Sequence, residues 1–463
     1  MKYYFLGIGG IGMSAQARFF NQMGHQVFGY DRTPSPLTAQ LEAEGITIHY
    51  TDDPSLIPSD IDVAIYTPAV PSSTAEFQYL KQLGIPFNKR SQMLGELTRG
   101  KKCIAIAGTH GKTTTSSLVA HLLSQTEQGC SAFLGGIAKN FDSNLVINKT
   151  SPYVVVEADE YDRSFLQLHP YVSVITSTDP DHLDIYGTHE NMLQAFAQFA
   201  SQTDDDGLLI LKEGLLGTSN HNHEENGICH CHEQGPLSNV KTPHMTYTAR
   251  GVEADYYAIN VRCNKGDIFF DLRTPKKVFY DLQLCQSPLY NVENAVAASA
   301  AALACGITEE QLRKGLKSFT GIRRRFDYHI NRPDLVYIDD YAHHPQELQA
   351  TIESIRYLYP GKRVVGIFQP HLYSRTADHA DGFAQVLSQL DETILMPIYP
   401  AREEPIPGVS SELILHKMSS INRYLCSPQQ VLELLPALYP DVVVTLGAGD
   451  IDRLVPQIEA LLK

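Results

Sequence analysis

Short runs rich in Val, Ile, Leu and Ala alternate along the chain with longer stretches whose apolar positions recur at helical spacing. Tyr3–Leu6 is such a run and stops at the loop Gly7–Gly12. Cys103–Ala107 runs into Gly108–Thr115, Val364–Phe368 starts a third unit, and Val442–Leu446 precedes Gly447-Ala448-Gly449. A strand, then a glycine-rich or polar loop, then a helix predicts parallel sheets in α/β domains. Ligands of such sheets bind at the carboxyl ends of the strands. The pattern divides into three α/β domains, residues 1–98, 99–321 and 322–463.

Two stretches depart from this rhythm. Residues 252–285 predict short strands, with a hairpin turn at Asn264-Lys265-Gly266-Asp267, added as an antiparallel edge to the middle domain. Residues 213–245 are polar and rich in His, Gly and Asn, which predicts an exposed loop.

Composition narrows the class. The chain has 463 residues, 43% of them hydrophobic and 19% charged, enough for several packed cores. With 37 basic against 52 acidic residues the net charge is −15, which disfavours general affinity for nucleic acid or anionic membranes. The eight cysteines are scattered rather than arranged as a disulfide framework, so a reducing compartment, the cytoplasm, is expected. The chain opens in a strand rather than a secretory leader, and no run of about 18 apolar residues predicts a membrane span.

Gly7-Ile8-Gly9-Gly10-Ile11-Gly12 has the spacing of a diphosphate-binding loop between a strand and a helix expected over Met13–Met23. Glycines let the backbone approach a diphosphate, and the helix amides bind its charge. Asp31 follows the next strand, where a ribose-binding acid would sit. The motif alone does not separate a nicotinamide dinucleotide from another diphosphate ligand.

Gly108-Thr109-His110-Gly111-Lys112-Thr113-Thr114 is the stronger signal. Its backbone amides would cradle phosphates, Lys112 would neutralise them, and Thr113 would bind Mg²⁺. Ile106 stands where the strict phosphate-loop pattern has glycine, so the loop is a variant. Val154–Val156 runs into Glu157-Ala158-Asp159-Glu160, and Val172–Thr176 leads to Asp179-Pro180-Asp181-His182. Glu157 with Thr113 suits one Mg²⁺, an ion that prefers oxygen donors, and His182 is a candidate ligand of a second. Surface acids and a helix cap are the plainer reading of those clusters. A phosphate loop beside a separate diphosphate loop implies two phosphorylated ligands, one more than a simple dehydrogenase needs.

Taken in order, these segments resemble the Mur ligase family. The resemblance covers nearly the whole chain and extends to Arg324-Arg325-Phe326-Asp327, Asp339-Asp340-Tyr341-Ala342-His343-His344-Pro345, Phe368-Gln369-Pro370-His371 and Tyr399-Pro400-Ala401. It implies an N-terminal Rossmann-like UDP-binding domain, a central P-loop-type ATPase domain and a C-terminal Rossmann-like domain for the amino acid. It implies ATP and Mg²⁺ as cofactors and UDP-N-acetylmuramate and L-alanine as substrates, joined through an acyl phosphate. Gly9, Gly10, Ile11, Gly12, Met13, Ser14 and Asp31 would then serve the UDP-sugar. Asn291 and Asn294 would serve the adenine, Arg325 the phosphates and Asp340 the ATP ribose. Tyr341, His343, His371 and Arg375 would shape the amino-acid site, with His343 orienting or deprotonating the amine; Lys112, His343 and Arg375 are the catalytic candidates.

The chain departs from the family pattern at three positions. Leu372 follows His371 where arginine is usual, Tyr290 precedes Asn291 where histidine is usual, and Asp179 replaces a glutamate. No lysine occurs between Asp184 and Leu211, so the carbamylated lysine of sibling ligases is not expected. His221 and His223 with Cys229-His230-Cys231-His232 invite a zinc reading, but the spacing fits no standard knuckle and a solvated insertion is the better account. The rival functions are a ligase attaching a preformed peptide, a nicotinamide dehydrogenase and a non-catalytic nucleotide sensor. Lys112 and the C-terminal segments argue against the dehydrogenase, and the intact set Lys112, Thr113, Glu157 and His182 argues against the sensor.

Overall fold

Three sheets carry the chain in the computed structural model, which describes residues 1–217, 235–249, 254–401 and 403–463. The first contains β1 (Lys2–Leu6), β2 (Gln26–Tyr30), β3 (Thr47–His49), β4 (Val63–Tyr66) and β5 (Phe87–Lys89), in the order β3-β2-β1-β4-β5, all parallel. Successive side chains of a strand face opposite ways. Tyr3 and Phe5 accordingly join one apolar cluster, and Tyr4 and Leu6 join another. Covering both faces explains why β1 reads as an unbroken apolar run. The order reverses beside β1, so a ligand crevice is expected past its carboxyl end.

The helix after β1 spans Ile11–Gln22 rather than Met13–Met23. Gly10 has extended backbone and acts as the N-cap, so the helix starts as soon as the glycine turn is complete.

The second sheet contains β6 (Lys102–Ala107), β7 (Ser131–Ala138), β8 (Ser143–Val146), β9 (Tyr153–Glu157), β10 (Val172–Ile175), β11 (Leu208–Lys212), β12 (His244–Thr248), β13 (Tyr256–Asn264), β14 (Asp267–Arg273) and β15 (Val278–Leu284). Its order is β15-β14-β13-β12-β11-β10-β6-β9-β7-β8. β6 lies between β9 and β10 and is parallel to both. The segments following these three strands therefore emerge side by side. Lys265 and Gly266 both have positive φ (54° and 85°), the requirement of a two-residue hairpin turn, and β13–β15 form one edge of the sheet. The edge is not wholly antiparallel, because β12 intervenes and β13 joins it in parallel.

The exposed loop expected over 213–245 is corrected in its described parts. Leu215 and Leu237 are buried in the core beneath this sheet, and β12 begins at His244. Two isolated leucines show no periodicity, so the sequence pattern could not reveal them. The His/Cys cluster from His221 to His232 lies outside the described residues.

The third sheet contains β16 (Asp327–Asn331), β17 (Val336–Asp340), β18 (Val364–Phe368), β19 (Glu392–Leu395), β20 (Arg423–Leu425) and β21 (Val442–Leu446), in the order β16-β17-β21-β18-β19-β20. Only β16 is antiparallel to its neighbour. Asp340 and Phe368 both pair with Leu446, so three chain segments leave this sheet at one level.

Packing divides the described chain into two compact units. One comprises Met1–Asn260, Phe270–Gln283 and Glu293–Phe319; the other comprises Val261–Phe269, Leu284–Val292 and Thr320–Lys463. Among the described residues no helix is long and apolar enough to cross a membrane, and the six described cysteines are all free thiols.

Candidate functional site

In the first unit, Gly7 turns the chain after β1 with φ of 88°, and the amides of Gly7 and Ile8 both donate to Tyr30 O. Gly9 to Gly12 lie at least partly in solvent, whereas Met13 and Ser14 are buried. Helix Ile11–Gln22 has no side-chain cap, so its first amides and its dipole are offered to an anion. Asn144 anchors this end of the helix, donating to Ile11 O (2.7 Å) and Ser14 Oγ (2.9 Å). Asp31 stands beside the loop as expected, but its carboxylate accepts the amides of Gly9 (2.8 Å) and Thr33 (3.2 Å). It braces the loop through the Gly9 amide.

The phosphate loop leaves β6 at Gly108, whose φ is 128°. A Cβ there would lie 2.1 Å from Thr176 Oγ1 and 2.7 Å from Ser177 N, so the position admits only glycine. Thr109 N donates to Ser177 O (3.2 Å) and His110 N to Ser177 Oγ (2.8 Å), tying the loop to the segment after β10. His110 Nε2 is 3.7 Å from Asp179. Gly111, with φ of 81°, is the uncapped N-terminus of helix Lys112–Leu123. Asn294 abuts it: a Cβ on Gly111 would meet Asn294 Oδ1 at 2.7 Å, and Thr115 Oγ1 donates to that oxygen at 3.4 Å. Thr113 is partly exposed in the first turn, while Thr114 is buried.

Lys112 Nζ donates to Gly108 O (2.6 Å) and to Glu160 Oε1 (2.8 Å). Burial alone would lower its pKa, but Glu160, then Asp159 and Glu157, outweigh burial and raise it. Burial raises the Glu160 carboxyl, and the Lys112 charge only partly opposes this. Glu157 accepts the Gly135 amide (3.1 Å) and packs on that glycine where no Cβ would fit. His182 Nε2 lies 3.7 Å from Asp181 and 3.9 Å from Glu160, with its ring edge-on to Tyr161. Among the described residues, no three His, Cys, Asp or Glu side chains form a group that could hold a metal on protein donors alone.

The second unit gathers another set. Asp340 ends β17, is 2% exposed, and receives four hydrogen bonds. Ala342 N donates to Oδ1 (2.9 Å); Phe326 N (3.1 Å), Thr351 Oγ1 (3.1 Å) and Tyr290 OH (3.4 Å) donate to Oδ2. Burial pushes its carboxyl up to about 6 against the opposing pull of Arg325. The Arg324 and Arg325 guanidinium carbons lie 5.0 and 5.1 Å from the Tyr341 ring centre. His343 Nδ1 is 3.0 Å from Tyr341 O and 3.3 Å from Glu347, and burial lowers its pKa. The His343 and His371 rings are 6.2 Å apart, and His371 stacks on Tyr399 at 5.7 Å. Arg375 Nη1 donates to His371 Nδ1 at 3.4 Å. Burial first, then His343 and Arg375, push His371 down to about 4, so it is a neutral acceptor at physiological pH. Asn291 belongs to the segment packed with this unit, where its Nδ2 donates to Ser287 Oγ (3.1 Å).

Lys112, Glu157, His182 and Asn294 thus converge in one unit, and Arg325, Asp340, Tyr341, His343, His371 and Arg375 in the other. Two residues stand out that sequence reading did not single out. Glu160 pairs with Lys112, although nothing in Glu157-Ala158-Asp159-Glu160 tells its second glutamate from its first. Arg90 lies against Gly12 and pairs with Asp159 (3.1 Å), a relation between positions far apart in the chain that no local motif encodes.

Comparison with known proteins places these features in context. Three family profiles match in succession: "Mur ligase family, catalytic domain" over residues 2–102, "Mur ligase middle domain" over 106–302 and "Mur ligase, glutamate ligase domain" over 324–449. A UDP-N-acetylmuramate–L-alanine ligase of Parabacteroides distasonis is 47% identical over 99% of this chain and 96% of its own. One from Porphyromonas gingivalis is 47% identical over 100% of this chain and 99% of its own. The crystal structure of a UDP-N-acetylmuramate–alanine ligase from Thermotoga maritima superposes with a TM-score of 0.82 at 26% identity, covering 99% of both chains. A murein peptide ligase from Psychrobacter arcticus shares the fold, with a TM-score of 0.69 at 21% identity over 100% of this chain and 98% of that one.

Proposed function

The chain belongs to the Mur ligase family, and from that premise we propose that it is an ATP-dependent ligase joining L-alanine to the lactyl carboxylate of UDP-N-acetylmuramate, a step of peptidoglycan precursor synthesis. The observation that carries the reading is full-length likeness to L-alanine ligases combined with an intact phosphate loop in which Lys112 is paired and charged. We assign residues 1–98 to the UDP-sugar, 99–321 to ATP and 322–463 to the amino acid, with the cytoplasm as the working compartment.

A carboxylate is a poor electrophile, so the lactyl carboxylate oxygen first attacks the γ-phosphorus of ATP. The bond from that phosphorus to the bridging oxygen breaks, and ADP leaves. The alanine amine then adds to the acyl phosphate carbon, and the tetrahedral adduct expels phosphate to leave the amide. In this scheme the Gly108–Thr114 loop and Lys112 carry the phosphates, where positioning and electrostatics supply most of the catalysis. The Gly9–Gly12 loop, at the N-terminus of its helix, holds the UDP diphosphate. Within the second unit, Arg325 is the candidate for a phosphate contact.

His343, held neutral by burial and oriented through Tyr341 O and Glu347, suits orientation or deprotonation of the amine. His371 and Arg375 suit the amino-acid carboxylate, with Arg375 working without the usual second arginine because Leu372 stands there.

The donors around Lys112 fit Mg²⁺. Glu157, Asp159 and Glu160 all act on one ammonium, leaving surplus negative charge on hard oxygens, and Thr113 adds a hydroxyl. Thr113 and Glu157 would hold one ion and His182 a second, and when bound they would neutralise charge on the transferring phosphoryl group.

The test is phosphate release from ATP and Mg²⁺ with UDP-N-acetylmuramate, adding L-alanine, L-serine, glycine or a tripeptide in turn. Release dependent on L-alanine, with a product heavier by one alanyl residue, is expected. Release with the tripeptide alone would move the assignment to a peptide-attaching ligase, and release with none would remove it.

A further inference from the structure

We propose that Glu160 is a positioning residue for the phosphoryl-transfer step, acting through Lys112; this rests on reading Gly108–Thr115 as the nucleotide-phosphate loop. An ammonium carries three N–H donors. In Lys112 one is taken by Gly108 O and one by Glu160 Oε1, at 2.6 and 2.8 Å. Two fixed bonds leave a single direction for the third, so the pair aims Lys112 as well as neutralising its surroundings. Without Glu160 the long lysine stem would have one anchor and could rotate about it.

Glu160 itself is built to hold still. Its side chain is 1% exposed. Its carbonyl accepts Tyr186 OH (2.6 Å) and Arg163 N (3.0 Å). Asp162 and Arg163, starting two residues on, both occupy left-handed backbone (φ 55° and 54°), so the chain turns sharply just beyond the carboxylate. Lys89 pairs with Asp162 and fastens that turn from outside. Non-glycine residues in this conformation carry a cost that the surrounding contacts must offset, and such strain gathers at working sites.

The second carboxylate oxygen, Oε2, is buried with no hydrogen-bond partner among the described residues. An unpaired buried acceptor costs stability. Glu160 spends its burial on a single bond to Lys112.

The experiment uses full-length Glu160→Gln, which keeps the shape and loses the charge, and Glu160→Asp, which keeps the charge and loses the reach. Both retain the backbone bond to Tyr186. For each, kcat falls at least about tenfold while KM for ATP stays within about threefold, because aiming matters in the transition state more than in ground-state binding. Melting temperatures remain at the wild-type value. Wild-type kcat in either variant would overturn the proposal. So would a kcat loss accompanied by an equal loss of ATP affinity or a lowered melting temperature, the signature of a merely structural role. Should Glu160→Gln fail to fold, Glu160→Asp decides alone. Lys112→Ala run in parallel separates the two layers of the argument. If it turns over normally, the phosphate-loop reading fails; if it is inactive while the Glu160 variants are normal, only the positioning role fails.

Discussion

Arg90 lies directly against Gly12: a Cβ added at Gly12 would sit 2.8 Å from Arg90 Nη1 and 3.2 Å from its Cδ. The guanidinium is held there by Asp159 at 3.1 Å, and the Arg90 carbonyl accepts Gln16 Nε2 at 2.9 Å. An added methyl group would push the guanidinium off both the helix N-terminus and its acid. Gly12→Ala is therefore expected to weaken UDP-N-acetylmuramate binding roughly tenfold, about 1.4 kcal/mol, with ATP affinity unchanged. Titration calorimetry with each ligand measures this. Unchanged sugar affinity would mean that Arg90 swings aside at no cost and takes no part in the site.

Lys112→Ala removes the ammonium but leaves the glycine loop at residues 7–12 untouched. Turnover is expected to fall by about 10²–10³-fold or more, the range seen when one donor to a developing charge is lost. UDP-N-acetylmuramate binding is expected to persist within about twofold, since its diphosphate contacts lie elsewhere. Steady-state kinetics and a binding titration on the same preparation check the pair of claims. Parallel loss of both would mean a misfolded variant or a misassigned domain.

Asp340 was expected to meet the ATP ribose, yet its two oxygens already serve four donors. In Asp340→Asn an amide NH₂ must face either Phe326 N–H or Ala342 N–H. One buried donor is left unsatisfied, a loss of about 1–3 kcal/mol. A lower melting temperature with little change in KM for ATP is the expected outcome. An increased KM with unchanged melting would instead make Asp340 a ribose ligand that trades its internal bonds for the nucleotide.

The sheets were legible because each core strand is short, rich in Val and Ile, and buried on both faces, as Cys103–Ala107 shows. Loops that demand glycine were legible for the same local reason: Gly108 has no room for a side chain and a φ that only glycine adopts easily. What escaped was non-local. β12 hides in a polar stretch and earns its place through pairing with β11. Nothing local tells Glu160 from Glu157 as the partner of Lys112, and the turn that follows at Asp162 and Arg163 carries neither glycine nor asparagine to announce it. Glu347, which holds His343 through its backbone amide and lies near its ring nitrogen, reads in sequence as an ordinary helix-start acid.

Glu76 supplies a test of the first domain that needs no ligand. It is fully buried at the start of helix Ala75–Gln82, accepts hydrogen bonds from the Tyr4 hydroxyl and Asp53 N, and lies 3.6 Å from His49 Nε2. Burial pushes its carboxyl from 4.5 up to about 7; the bonds from Tyr4 and Asp53 N oppose this, and the charges of Asp52 and Asp53 add to it. Between those two values the folded protein holds a proton that the unfolded chain has lost. Stability contributed by the protonated carboxyl is therefore full below 4.5 and is lost as pH rises through about 7. His49 works in the opposite sense: burial lowers its pKa, so its share of stability is lost as pH falls below the ordinary histidine value. Glu76→Gln removes the first effect and leaves the second, while Tyr4 OH can turn its hydrogen toward His49 Nε2, 2.8 Å away, and accept from the new amide. Melting curves of both proteins from about pH 5 to about pH 8 decide the matter. The variant's melting temperature, relative to wild type, is expected to improve steadily as pH rises. A difference that stays constant across the range would mean that Glu76 is already ionised in the folded protein at the acid end, with its charge carried by the Tyr4 and Asp53 donors.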